Sequence, residues 1–226
     1  MIIFILICLL VSVAQAQVCT FGGELKAEGT LALGNGWRAA ASEEMRYNLT
    51  SEGLSKNEMS AGLSKSVLRD WLRGYGCKMR IGGNYSFIRR QNESHRYENQ
   101  HRVNVDVFPS YSYGDWKVSV RERVQTTFRD NRRGSYRVNP KMMLRSRLQV
   151  QYDMPGRPWT FFANGECFYR LNDPKHHIVD EWRGRIGASY QLSQHTCLSL
   201  YWKSSVEVNV KHPEQQHLLG LAFEFN

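Results

Sequence analysis

Three consecutive segments between Lys141 and Gln191 alternate between polar and apolar residues. In the first segment, Arg145 and Arg147 occupy one set of alternate positions and Leu148 belongs to the other. Successive side chains of a β-strand point to opposite faces, so each segment predicts a strand with one polar and one apolar face. Each segment is about as long as the 9–11 residues that a tilted strand needs to cross a bilayer. Because strands of soluble sandwiches are usually nearer about five or six residues, the pattern predicts a transmembrane β-barrel.

The rest of the chain repeats this alternation between turn signals. Gly34-Asn35-Gly36 is a hairpin signal, because Asn-Gly pairs favour the tight turns that join antiparallel strands. Short turns at 34–36, 70–76, 113–115, 154–157 and 192–195 alternate with longer polar loops, as periplasmic turns and outward loops do in bacterial barrels. Around the three segments, the predicted strands are Glu24–Leu33, Trp37–Leu49, Met59–Arg69, Cys77–Arg90, His101–Tyr113, Trp116–Arg129, Thr196–Asn209 and Leu219–Phe225.

The predicted fold is an all-β, closed, antiparallel up-and-down transmembrane barrel of 10–12 strands. The turn signals delimit eleven strands, whereas single-chain bacterial barrels have an even number. We therefore expect twelve strands, with a further short strand near Gln17–Phe21. The alternative leaves the first strand outside a ten-stranded wall.

The first sixteen residues predict a cleaved secretory signal peptide. Met1–Ala16 contains no charged residue and ends in Val13-Ala14-Gln15-Ala16, a small-x-small cleavage pattern. We expect one barrel domain over 17–226 in the outer membrane of a Gram-negative cell. Its expected partners are outer-membrane lipid, periplasmic chaperones and the barrel-assembly machinery. A net charge of +9 can indicate a nucleic-acid partner, but export argues against one.

Four cysteines remain after the predicted cleavage, and their spacing matches neither a metal knuckle nor a dense disulfide scaffold. One interpretation is a single bridge among Cys19, Cys77 and Cys197. The other is that these thiols and that of Cys167 are free.

Several polar positions lie about six to nine residues from the nearest short turn, which predicts a cationic belt in the barrel interior. Guanidinium groups stay charged and bind carboxylates and phosphates in a bidentate manner, and rings of Arg or Lys favour anions in pores. The predicted cations are Arg46, Arg121, Arg123, Arg145, Arg147, Arg183, Arg185 and Lys203, and the predicted counter-ions are Glu44, Asp106, Glu166 and Glu181.

From this belt we expect a small structural barrel of unknown specific function, and two alternatives stay open. The arginines and acids could form an ion-pair network that fills and rigidifies a structural barrel, because small barrels can be packed nearly shut by side chains. Alternatively, the belt could line a narrow channel for small anionic solutes. The second alternative is a membrane-embedded enzyme or an adhesion or assembly barrel, but neither His195 nor His217 has an obvious serine companion for a catalytic pair. We predict no catalytic residue, metal or cofactor, and interpret His176 and His177 as solvated loop residues.

Aromatic residues near the strand ends predict contacts with lipid headgroups. These interfacial aromatics are Trp37, Trp116, Trp159, Trp182 and Tyr190. The chain ends with Leu221, Phe223 and Phe225 on alternate positions, which is typical of the terminal strand of outer-membrane barrels.

Four short runs carry a family resemblance. They are Ser42-Glu43-Glu44-Met45-Arg46-Tyr47, Leu144-Arg145-Ser146-Arg147-Leu148, Gly165-Glu166-Cys167-Phe168-Tyr169 and Trp182-Arg183-Gly184-Arg185-Ile186-Gly187. Together they resemble the Gram-negative barrels called domain of unknown function 2490, over nearly the whole mature chain. The resemblance implies a small outer-membrane β-barrel and implies no known activity.

Overall fold

The computed structural model describes residues 18–49, 53–67, 75–91, 96–130, 140–172, 179–209 and 213–226. The predicted signal peptide, together with His176 and His177, lies outside these residues. Within them the chain forms eleven β-strands in one closed barrel. The strands are β1 (Val18–Gly34), β2 (Trp37–Asn48), β3 (Gly53–Ser66), β4 (Cys77–Gln91), β5 (Tyr97–Tyr113), β6 (Trp116–Arg129), β7 (Lys141–Asp153), β8 (Trp159–Arg170), β9 (Val179–Gln191), β10 (Thr196–Glu207) and β11 (Glu214–Phe225).

The prediction of an all-β closed barrel is confirmed, with one correction to its strand number. Consecutive strands pair in an antiparallel manner, so an odd number leaves the first and last strands pointing the same way. β1 and β11 accordingly close the barrel as a parallel pair, from Val18 opposite Glu214 to Gly29 opposite Phe225. The expectation of twelve strands is wrong because residues 18–21 continue directly into β1 instead of forming a separate strand. The ten-stranded alternative is also wrong, because β1 pairs on both of its edges.

The tightest turn follows from its sequence. Asn35 and Gly36 connect β1 to β2 and both have positive φ angles, of 49° and 77°. Asn and Gly adopt this left-handed backbone more readily than other residues, and its twist matches that of the flanking strands. We call the end of the barrel that carries this turn the hairpin end and the opposite end the loop end. Residues 67 and 75–76, the connections 114–115, 154–158 and 192–195, and the C-terminus of β11 also lie at the hairpin end. Most of the predicted turn at 70–76 falls outside the described residues.

Besides β1, three strands begin earlier than their sequence patterns predict. β3 starts at Gly53, β5 at Tyr97 and β11 at Glu214, each within a stretch that we interpreted as a polar loop. Polar residues continue the strands here because one side of the wall faces a polar interior. The loop interpretation therefore misplaced several charged side chains that belong to the barrel.

The two faces of the wall have opposite character. Leu63, Val105, Leu148, Ile186 and Leu200 lie on the outer face, and each has more than half of its side chain exposed. Charged and amide side chains face inward, and many of them are buried. An apolar exterior around a polar interior is the arrangement of transmembrane β-barrels. In the described part of the chain, no helix has the length and apolar character needed to span a membrane.

Glu122 is an outward exception to this arrangement. The pairing register of β6 with β5 and β7 shows no shift around it, so a bulge does not explain its position. Instead, its carboxylate accepts a hydrogen bond of 2.6 Å from the Ser146 hydroxyl on β7.

All four cysteines in the described residues are free, which agrees with the second interpretation and not with a bridge. Cys19 lies near the loop end, whereas Cys77 begins β4 and Cys197 is the second residue of β10, both at the hairpin end. These last two belong to β4 and β10, which are not neighbours in the barrel.

Candidate functional site

The barrel encloses a polar cavity of about 840 Å³. Its lining reaches from Ser64 and Arg80 near the hairpin end to Gln91 and Glu214 at the loop end. Sixteen Lys and Arg residues and ten Asp and Glu residues are among the described residues that line it. The lumen therefore carries a surplus of positive charge.

One side of the lumen carries an alternating chain of charges, which we call the ion-pair ladder. Arg46 Nε donates to Glu24 Oε2 at 2.6 Å, and Lys203 also pairs with Glu24. Arg46 Nη2 lies 2.8 Å from Glu44 Oε1. In order across β10, β1, β2, β3 and β5, the ladder consists of Lys203, Glu24, Arg46, Glu44, Lys56, Glu58 and Arg102. Each of its interior members contacts charges of opposite sign on both sides, which offsets the cost of burying them.

Two glycines make room for a tyrosine that contacts Glu24, the first carboxylate of the ladder. Tyr201 on β10 lies opposite Gly187 and Gly220 on its two neighbouring strands. A Cβ atom on Gly220 would overlap the Tyr201 ring, so the ring lies over the bare glycine backbone. Its hydroxyl then donates to Glu24 Oε1 at 2.6 Å across β11.

The opposite side carries many arginines and few acids, and we call it the arginine wall. Its acids are all occupied: Asp106 accepts both Nε and Nη2 of Arg123, at 2.6 and 2.7 Å. Glu166 Oε1 lies 2.5 Å from Arg121 and 3.0 Å from Arg145 Nε, and Glu181 pairs with Arg183 at 2.7 Å. The wall consists of Arg121 and Arg123 on β6, Arg145 and Arg147 on β7, and Arg183 and Arg185 on β9.

Aromatic rings also lie beside several of these arginines. The guanidinium carbons of Arg145 and Arg183 lie 4.3 and 4.5 Å from the Phe168 ring centroid. Arg147 lies 5.7 Å from the Phe108 centroid, and Arg185 lies 4.9 Å from that of Tyr201. A guanidinium over a ring face is attracted to the negative face of the ring, which supports the cation without neutralising its charge.

The structure brings the predicted belt residues together on one surface. All twelve line the cavity: Arg46, Arg121, Arg123, Arg145, Arg147, Arg183, Arg185, Lys203, Glu44, Asp106, Glu166 and Glu181. They do not form a uniform ring, because Arg46, Glu44 and Lys203 belong to the ladder and the others to the arginine wall and its counter-ions. Among the described residues, Arg147 and Arg185 make no ion pair with a carboxylate.

Sequence reasoning missed several members of the site. Lys56 lay within a predicted loop, and Glu58 just preceded the predicted start of its strand. Glu24 and Arg102 were recognised as polar-face residues, but no pairing partner could be assigned to them. The alternation along β10 places Tyr201 at an inward position, and this position could have identified it as a member of the site.

The predicted interfacial aromatics lie on the outer face near strand ends. Trp116 packs on Tyr152, and Trp159 on Tyr190, both with ring centroids 4.8 Å apart at the hairpin end. Trp37 begins β2 at the same end, whereas Trp182 lies toward the loop end. Leu221, Phe223 and Phe225 alternate along β11 as predicted. Their contacts with lipid and their role as an assembly signal stay predictions.

The structure also pairs His217 with a serine, which the sequence did not indicate. Ser204 lies directly opposite His217 on the outer face, and the rings of Phe21 and Trp202 stack on the histidine. No hydrogen bond joins Ser204 to His217 in the described structure, and His217 Nδ1 is buried without a partner. A catalytic pair would need that hydrogen bond and an orienting group. The described residues also contain no group of three metal-ligating side chains.

The solved structures that match this chain include three bacterial proteins. OmpT of Vibrio cholerae is 10% identical with a TM-score of 0.43, and the match covers 77% of this chain and 52% of OmpT. The translocator domain of the autotransporter NalP from Neisseria meningitidis is 13% identical with a TM-score of 0.43, over 83% of this chain and 73% of that domain. The anion-selective porin from Comamonas acidovorans is 10% identical with a TM-score of 0.35, over 84% of this chain and 82% of the porin. This chain thus spans about half of the length of OmpT.

No curated protein matches the sequence. The family model described as a protein of unknown function, DUF2490, matches residues 25–209. Because this match covers most of the chain, the protein belongs to the DUF2490 family.

Proposed function

We propose that this protein is an outer-membrane barrel whose lumen is a narrow aqueous channel that favours small anions. The observation that carries the proposal is the unequal charge of the two lumen walls. The ladder has four cations and three carboxylates, whereas the arginine wall has six guanidinium groups and three carboxylates. Fixed positive charge beside a water-filled path lowers the free energy of anions there and raises that of cations.

The dimensions of the cavity agree with a narrow channel. Its lining reaches residues near both ends of the barrel. Spread over the roughly 30 Å of a bilayer core, a volume of about 840 Å³ gives a mean cross-section of about 30 Å², which suits water and small ions. We expect outer-membrane lipid to surround the apolar exterior, with the hairpin end in the periplasm. We also expect periplasmic chaperones and the barrel-assembly machinery to deliver the barrel to the membrane. The proposal assigns no catalytic residue or cofactor.

A second candidate is a structural barrel with a closed lumen. The specific observation in its favour is the ladder, whose side chains come from five strands and form consecutive ion pairs. Such a network ties the wall together whether or not solutes pass.

Single-channel recording separates the two candidates. The mature chain, refolded in detergent, is inserted into planar bilayers, and current is measured under a salt gradient. A steady conductance whose reversal potential indicates anion preference supports the channel. A folded, heat-modifiable barrel that inserts and remains silent supports the structural barrel, and cation preference would contradict the proposal.

A further inference from the structure

Four neighbouring strands present hydrogen-bond donors that lack protein acceptors. Arg121 Nε on β6 and Asn164 Nδ2 on β8 are buried and have no hydrogen-bond partner. Arg147 on β7 lies opposite Arg121, and Arg185 on β9 lies opposite Asn164. Neither Arg147 nor Arg185 pairs with a carboxylate in the described structure. Because an unsatisfied buried donor is destabilising, these groups together point to an acceptor that the chain does not supply.

Aromatic rings hold the two unpaired guanidiniums in fixed orientations. Arg147 lies over Phe108, and Arg185 lies over Phe162 and Tyr201 at 5.2 and 4.9 Å from their ring centroids. Arg80 approaches Phe108 as well, at 5.2 Å. Stacking on a ring occupies the face of a guanidinium and leaves its N–H edge available. That edge is the part that binds an oxyanion through two parallel hydrogen bonds.

The neighbouring carboxylates are already engaged. Glu166 is shared by Arg121 and Arg145. Glu28 interacts electrostatically with Arg147 and Arg185 but makes its ion pair with Lys26. Positive charge therefore remains in excess around these donors.

Further cations surround the path to these donors from the hairpin end. Lys117 interacts electrostatically with Lys78, Arg80 and Arg38, and the acid in that set is Asp153. These cations would attract an anion toward the interior from the hairpin end. A local surplus of several charges favours a multivalent anion over a monovalent one.

We propose that Arg121, Arg147, Asn164 and Arg185 form a binding site for an oxyanion with at least two negative charges. We call it the oxyanion site. Phosphates and compounds with several carboxylates share the required chemistry, because both present oxygens that accept paired N–H donors. This proposal deepens the proposed function, since it names the class of anion that the lumen of that channel would hold.

Binding is measured on the refolded protein in non-ionic detergent micelles, so the result does not depend on whether the barrel conducts ions. Inorganic phosphate and citrate are titrated calorimetrically at low ionic strength, with chloride as the monovalent reference. Saturable binding of either probe, with one molecule per barrel and no competition from equimolar chloride, supports the site. The probe that binds more tightly identifies whether the site prefers phosphates or carboxylates. Absence of saturable binding by both probes would overturn it.

Matched variants locate the binding. Arg147→Gln or Arg185→Gln should each weaken binding by about tenfold or more, as expected for loss of a charge-assisted hydrogen bond. Arg90→Gln removes the same charge from the same cavity near the loop end and should change affinity by less than about twofold. Equal weakening by all three variants would indicate a diffuse attraction and contradict the site.

Asn164→Asp distinguishes occupation of the site from damage to the fold. The new carboxylate would accept from the unpaired arginines in place of the ligand. We expect this variant to lose oxyanion binding and to gain resistance to denaturant, whereas a misfolded variant would lose both. Unchanged phosphate and citrate affinity in Asn164→Asp would overturn the proposal.

Failure of the site and failure of the channel remain separable. If the wild-type barrel conducts anions but binds neither probe, the oxyanion site is contradicted and the proposed channel function is supported. If the barrel binds a probe but never conducts, the oxyanion site is supported and the channel function is contradicted.

Discussion

The two walls of the lumen use similar residue types in different orders. On the ladder side, Glu44 and Arg46 are two positions apart on one strand, and Lys56 and Glu58 are two apart on the next. On the arginine wall, the corresponding positions are paired arginines, as in Arg-x-Arg at 145–147 and 183–185. Because residues two apart in a strand share a face, the order of charges in the sequence decides whether each charge on a wall has a neighbour of opposite sign.

This difference separates a structural role from a binding role. An alternating wall satisfies its charges with its own neighbours and has little attraction left for a solute. A wall with repeated positive charge must share its few acids or leave guanidinium groups facing water. Under the proposed function, the barrel combines a self-contained half with a half that attracts anions.

The largest expected effect comes from removing the acid that the arginine wall shares. Glu166→Gln leaves Arg121 and Arg145 without their carboxylate in a buried setting. We expect a loss of about 3 kcal/mol in the free energy of unfolding, measured by denaturant titration in micelles with tryptophan fluorescence as the signal.

The control for this change is Glu28→Gln, whose ion pair with Lys26 is more exposed. It should lower the free energy of unfolding by less than about 1 kcal/mol. A Glu166→Gln protein as stable as Glu28→Gln would show that the shared acid does not hold the wall together.

A smaller loss in the free energy of unfolding is expected when the ladder loses one hydrogen bond from an uncharged group. Tyr201→Phe removes the hydroxyl that donates to Glu24, while Arg46 and Lys203 remain to neutralise the acid. We expect a loss of about 1.5 kcal/mol, the usual worth of a hydrogen bond to a charged group, in the same unfolding assay. Tyr152→Phe on the outer face is the control and should leave stability unchanged; an equal loss in both variants would refute a special role for the inward hydroxyl.

The smallest change in stability is expected at the unpaired arginines. Arg147→Gln breaks no ion pair, so the free energy of unfolding should change by less than about 0.5 kcal/mol. Arg183→Gln, by contrast, leaves Glu181 without its partner and should be clearly destabilising. If Arg147→Gln destabilises the barrel as much as Arg183→Gln does, Arg147 has a structural partner and is not held for a ligand.

Period-two alternation was sufficient to predict the barrel and the inward face of each of the twelve belt residues. It was less informative where a polar inward face continued past the apolar outer residues, as at Lys56 and Glu214, because such ends resemble loops. It also could not assign partners. The contact of Arg102 with Glu58 spans β4, and that of Tyr201 with Glu24 spans β11, so both depend on the register and curvature of the closed wall. An even strand number was the wrong expectation because a parallel pair can close an odd barrel.

The most direct test of the account is charge reversal on the unpaired cations of the lumen. The triple variant Arg80→Glu, Arg147→Glu, Arg185→Glu is compared with the wild-type barrel in planar bilayers under the same salt gradient. Because these arginines form no ion pair with a carboxylate in the described structure, the variant should fold and conduct. Its reversal potential should move from anion preference across zero toward cation preference. A conducting triple variant whose reversal potential equals that of the wild type would contradict the claim that these arginines select anions.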